Sequence, residues 1–379
     1  MNQRFGQALR RIGGRLSAGG ACPIGLQLGR DSLSLVQMEK TAAGPPAFRA
    51  AATLDYACAR EEILSNPLRL KALLKRAFAQ QPFRGKRVVA CMPEDQVKIA
   101  LVNFAVAEGQ SDAEAIVREL GERAKGNSAG TILDFILVRP EGHPGQHKEA
   151  IVAMAAREQV TAYLDLLAGA GLQVVALDIG PMALTRVVSW IAMPQVESPA
   201  NLLLINFGSV GSYLTVVWGR RLMLDRAIEF SEQRLLAKAQ MLLEMPGHEA
   251  KRLLVEHGFA TATTTAEASE LSHTLREVLR PEFAALAAEV SKTMIYTASK
   301  TRGRAVDKIY VMGDITRYRG IGELLGELLS MPVEVLDPFA IFAHRLNDAS
   351  LAKLLPRSRA AVATGLALRN VKIAWPNLT

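Results

Sequence analysis

The sequence predicts an α/β protein of two domains with like topology and one compact insert, and three patterns carry that expectation. A strand, a glycine turn and a second strand, IGLQLGRDSLSLVQM (24–38), recur as NLLLINFGSVGSYLTVVW (201–218). Repetition of one supersecondary unit at that distance marks a duplicated architecture. Between the copies, strand-length apolar runs alternate with helical periodicity in the order βαββαβ. A strand, Gly313 and a helix follow late in the chain, in DKIYVMGDITRYRGIGELLGELL (307–329).

Each element has its own local reason. The first hairpin turns at Gly29-Arg30-Asp31-Ser32, a geometry that can offer backbone N–H groups to an anion. SNPLRLKALLKRAFAQQ is an amphipathic helix and KRVVACMP a strand, so the opening unit reads ββαβ. From Val97 the insert runs VKIALVNF, a helix SDAEAIVRELGERAK capped by Ser111, TILDFILV, EAIVAMAAR, a helix EQVTAYLDLLAGAG and LQVVALD, about residues 96–171. The helix PMALTRVVSWIA leads to a linker with Pro194 and Pro199. After the second hairpin a third strand precedes a mostly helical region from Ser231 to Thr301, and the small-residue helix RAAVATGLALRN closes the chain.

Length and composition exclude several classes. With 379 residues, 49% apolar and 22% charged, the chain is long enough for two cores and too apolar for wholesale disorder. Cys22, Cys58 and Cys91 have no metal-ligand spacing and point to a reduced compartment. The longest apolar stretch is interrupted by Asp178, Pro181 and Arg186, so no membrane span is expected, nor does the N-terminus read as a signal peptide. Of the formal charge of +8, four arginines (Arg4, Arg10, Arg11, Arg15) fall in the first 20 residues without an acid. Beside them Phe5, Leu9, Ile12 and Leu16 form one helical stripe, which reads either as a frayed basic tail, since Gly6, Gly13 and Gly14 weaken a helix, or as a helix lying on an anionic membrane surface through residues 1–16. Basic residues are not interleaved with aromatics, so no nucleic-acid partner is expected.

The duplicated hairpins, the strand-glycine-helix element, PVEVLDPF and AVATGLALR together resemble the actin-like ATPase (ribonuclease H-like) fold, and within it the PilM family of type IV pilus assembly proteins. The insert, including AAREQVTAYLDLLAGAGLQVVALDIGPMALTR, is similar to the family's extra subdomain, shared with FtsA. The divergent members serving mannose-sensitive haemagglutinin (MSHA) pili are the most similar. The resemblance implies a basic tail (1–21), a first domain (22–198) carrying the insert, a second domain (199–371) whose closing helix returns to the first, and a C-terminal tail (372–379).

By that resemblance the nucleotide site is vestigial and comprises Gln27, Gly29, Arg30, Asp31, Ser32, Asn206, Gly208, Ser209, Gly313 and Asp314. The family has Asp where this chain has Gln27 and Asn206, and Lys at Ser34. Its paired glycines are Ser231 and Glu232 here, and its Gly-Gly-Gly-Ala adenosine turn is Gly313-Asp314-Ile315-Thr316. Its adenine-side Glu and Lys become Lys251 and Leu254. Mg²⁺ is held largely by carboxylate charge, and an amide keeps the shape without the charge. Asp314 is expected to set a negative charge against an anionic ligand, which Arg30 would offset by meeting a phosphate. No catalytic residue, metal or cofactor is therefore expected, and ATP with Mg²⁺ is disfavoured. His143 and His147 lie in a Gly/Pro turn and read as solvated loop rather than metal ligands.

The function this implies is a cytoplasmic scaffold, peripheral to the inner membrane, binding the tail of a PilN-like inner-membrane protein. The rivals are an active actin-like ATPase and an FtsA-like filament former, and a homodimer is a further option. Fold analogy alone does not choose among them.

Overall fold

A computed structural model describes residues 22–41, 45–124, 130–138, 148–191, 200–260, 266–301 and 303–371. The basic N-terminal stripe, the His143/His147 turn and the Pro194/Pro199 linker lie outside the described residues. Within them no helix is long and apolar enough to cross a membrane.

The first sheet is built from β1 (Ile24–Leu28), β2 (Ser32–Glu39), β3 (Ala47–Asp55), β4 (Arg87–Cys91) and β8 (Gln173–Asp178), in the order β3-β2-β1-β4-β8. The second repeats this plan with β9 (Asn201–Phe207), β10 (Ser212–Trp218), β11 (Arg221–Ile228), β12 (Lys308–Gly313) and β13 (Val333–Val335), in the order β11-β10-β9-β12-β13. In each, three antiparallel strands are followed by parallel ones. Strand β3 completes the correspondence and was missing from the ββαβ expectation. Its run AFRAAATLD has few β-branched residues, so tertiary pairing with β2 outweighs local propensity.

Helix α1 (Pro67–Gln80) starts where the Asn66 side chain accepts from the Leu68 N–H at 2.9 Å, with Pro67 in the first turn. Its face of Leu70, Leu73, Leu74 and Ala77 covers one side of the first sheet. The other side is covered by α4 (Gly180–Ile191) and α9 (Ala361–Ala367). Glycines set that spacing, because a Cβ on Gly25 would lie 1.9 Å from the Ala363 carbonyl oxygen and one on Gly365 1.9 Å from that of Ala183. Helix α9 is thus wedged between β1 and α4.

The insert differs from the six-element expectation. The elements form in the expected order, but only β5 (Lys98–Phe104), β6 (Thr131–Leu137) and β7 (Lys148–Ala156) make its sheet, in the order β5-β7-β6, with α2 (Asp112–Ala124) over it. Its small core holds Val102, Phe104, Ile116 and Val152. Ser111 does cap α2: its Oγ accepts from the Glu114 N–H at 3.3 Å while its N–H donates to the Glu114 carboxylate at 2.9 Å. The last two elements, α3 (Arg157–Gly169) and β8, rejoin the first domain, where Tyr163, Leu166 and Leu167 pack with α1. The boundary at 171 is therefore replaced by one at the end of β7, since α3 packs in the core of the first sheet and β8 pairs with β4. The insert also leans on the second domain: Val138 and Ile151 join its core, and Glu149 pairs with Lys300 of α7 (Ala266–Lys300).

Candidate functional site

Both hairpin turns sit at the carboxyl ends of β1 and β9 and face each other across a cleft of about 280 Å³. All ten residues of the expected site line it. Gln27 and Asn206 occupy equivalent places, each the penultimate residue of the first strand in its sheet. Gly208 and Gly313 are required by space: a Cβ would lie 2.2 Å from the Gly211 oxygen and 2.0 Å from the Phe207 oxygen, and Gly313 has a φ of +96°. Three of the turn N–H groups have partners. That of Gly29 donates to the Ser32 carbonyl at 2.9 Å, that of Gly208 to the Ser212 Oγ at 3.4 Å and that of Gly313 to the Ser358 Oγ at 3.3 Å.

Sequence reasoning missed Arg60, Glu94, Asp95 and Arg359, which also line the cleft. Arg60, 7% exposed, donates to both oxygens of Asp95 at 2.9 Å. Arg359 grips both oxygens of Asp314, at 2.6 Å through one nitrogen, and reaches Asp55 at the end of β3 at 2.7 Å. Burial opposes the Arg359 charge, but the two carboxylates outweigh it and hold its pKa above the usual value. The expected offset by Arg30 is therefore corrected: Arg359, from the segment just before α9, pairs directly with Asp314. No spacing signal could have linked residues 314 and 359. Ser34 is buried against Thr53 at 3.3 Å and offers no cation.

Beyond Gly313 a second network fills the space between α5 (Glu232–Leu243) and the turn at 314–317. The buried carboxylate of Glu232 accepts from the Tyr318 hydroxyl at 2.7 Å and pairs with Lys251 at 3.1 Å. Tyr318 is 1% exposed, and burial, then the Glu232 charge, push its hydroxyl pKa well up. Leu254 is fully buried in the second core, so neither it nor Lys251 lines the cleft. Among the described residues no group of three His, Cys, Asp or Glu side chains could hold a metal ion.

A second cavity, of about 230 Å³, opens where the first domain, the insert and the second sheet meet, lined by Met92, Val97, Ile99, Pro181, Leu184 and Asp225 among others. Asp225 accepts from the Thr215 hydroxyl at 2.6 Å. Burial, helped by the Glu94 charge, pushes its carboxyl up to about 7.

Two like sheets closing on a cleft at their strand ends, with a small insert on the first, define a protein of the actin-like ATPase fold. The sequence profile described as type IV pilus assembly protein PilM matches residues 25–371, and the chain belongs to that family. It is similar to a solved PilM-PilN type IV pilus biogenesis complex, with a TM-score of 0.73 and 23% identity over 93% of this chain and 99% of that one. It is also similar to the ethanolamine utilization protein EutJ from Carboxydothermus hydrogenoformans, with a TM-score of 0.52 and 14% identity over 96% and 94% of the two chains. No curated protein matches the sequence.

Proposed function

We propose that this protein is a non-catalytic scaffold of an MSHA-like type IV pilus assembly machine, of the MshI kind, at the cytoplasmic face of the inner membrane. It holds the cytoplasmic tail of a PilN-like membrane protein. The observation that carries the reading is a cleft whose metal-facing positions are the amides of Gln27 and Asn206. Three of its turn N–H groups, those of Gly29, Gly208 and Gly313, are engaged, and beside Gly313 the Glu232 carboxylate is taken up by Tyr318 and Lys251. Two amides at these places do not fit Mg²⁺ with a triphosphate, because that cation is held largely by carboxylate charge. Family membership and the PilN-bound relative support the partner.

The tail would lie in a groove between the first domain and the insert, bordered by the second cavity. There an extended peptide takes affinity from strand-edge hydrogen bonds and specificity from apolar pockets such as that of Val97, Ile99 and Leu184. Residues 1–16 would rest on anionic lipid.

Two measurements test this. Mg²⁺·ATP at a hundred times a functional dissociation constant stabilises a binder by about 2.7 kcal/mol, so the expected result is an unchanged melting temperature and no phosphate release. Titration of the partner tail should give one affinity with or without ATP, weakened by Ile99→Glu. A nucleotide requirement for tail binding would return the chain to the active ATPases.

A further inference from the structure

We propose that the end of the first domain opposite the cleft is a docking face for an anionic lipid bilayer. The inference deepens the lipid contact proposed above for residues 1–16 by assigning a face of the folded domain to it, and depends on neither nucleotide nor partner tail.

Strands β1 and β4 run parallel, with Ile24 beside Val88, and the cleft lies at their carboxyl ends. At their amino ends six cations are exposed. Lys40 follows β2, Lys75 and Arg76 sit in the second half of α1, and Arg84, Lys86 and Arg87 lead into β4. None of the six forms an ion pair among the described residues, whereas Arg69, on the first turn of the same α1, is paired with Glu62 at 2.8 Å. The acids close by do little to offset them. Glu39 is paired with Arg49 at 3.3 Å, and Asp348 adds one negative charge from the short helix that Ser350 ties to Gln81 at 3.1 Å.

The second observation is where the N-terminal segment joins. Gln37, 1% exposed, donates to the carbonyls of Cys22 at 2.9 Å and Arg84 at 2.8 Å and accepts from the Arg84 N–H at 2.7 Å. That buried amide staples the start of β1 to the basic loop. Residues 1–21, with four arginines and no acid, are therefore attached at the middle of this face. Six exposed cations on one end of a domain, where a segment rich in arginine joins, suit a surface recognised by charge density, which is how anionic bilayers are read. Single-stranded nucleic acid would also need a stacking platform, but Phe83 is turned onto Phe78 with ring centroids 5.4 Å apart.

The test is co-sedimentation of the full chain with phosphatidylglycerol/phosphatidylcholine vesicles against pure phosphatidylcholine vesicles. Binding is expected only to the anionic vesicles and should fall with added salt. R84E/K86E/R87E removes no ion pair, so the melting temperature and partner-tail affinity should hold while vesicle affinity drops by at least about tenfold. R84Q/K86Q/R87Q should give a smaller drop, and it replaces the reversal set if that set lowers the melting temperature. Replacing Arg4, Arg10, Arg11 and Arg15 with Gln should leave measurable binding that the triple change then abolishes. Anionic vesicle binding by the triple variants equal to that of the parent would overturn the face and leave the tail alone in the role. Duplex DNA bound more tightly than vesicles through the same residues would overturn the lipid assignment.

Discussion

At the scale of residues, the cleft is decided by who pairs with whom. Arg359 and Asp314 are each about 15% exposed as side chains, so removing one leaves the other charged in a partly enclosed site. Arg359→Ala should cost about 3 kcal/mol in urea unfolding, and D314A/R359A should cost clearly less than the two single changes added together. Strict additivity would mean that the contact contributes nothing. Asp225 supplies a pH dependence. Its folded pKa of about 7 lies above its ordinary value of 3.8, so its contribution is complete below the ordinary value and is lost as pH rises through about 7. Melting temperatures should therefore fall across that window in the parent and fall less in Asp225→Asn. Parallel pH profiles for the two proteins would remove Asp225 as the cause.

At the scale of elements, the close approach of α9 to β1 and α4 depends on two hydrogen atoms in place of methyl groups. Gly25→Ala and Gly365→Ala each put a Cβ 1.9 Å from a carbonyl oxygen, and no flexible side chain can yield there. Each should destabilise by about 3 kcal/mol or more in urea unfolding, the upper end of overpacking costs. Gly180→Ala, whose Cβ would meet nothing within 4 Å, should be close to neutral. The closing helix was legible from its run of small residues, whereas β3 was not, because an alanine-rich run becomes a strand only when β2 offers it a partner. The reassignment of α3 has the same origin: an amphipathic stripe shows that a helix buries one face without saying against which sheet.

At the scale of the molecule, one core cluster crosses both domains, uniting Val36, Val89 and Leu366 with Leu202, Val217 and Met312. Trp190 packs against that cluster from the first domain and Trp218 against the second domain's own core. W190F/W375F and W218F/W375F, each leaving one of the three tryptophans as reporter, should show the same denaturant midpoint, as a single cooperative unit requires. Separated midpoints would mean that the domains unfold independently. The sequence by itself determined the duplicated hairpins, the glycine turns and the amides at Gln27 and Asn206, because turn chemistry, strand periodicity and side-chain charge are local properties. Only the tertiary structure decided that Arg359 pairs with Asp314, that Tyr318 donates to the buried Glu232, and that the insert ends with β7. The basic face around Cys22 was decided at the same level. Each of these joins residues far apart in the chain, and contact at that separation is set by how the sheets pack rather than by any repeat a sequence can display.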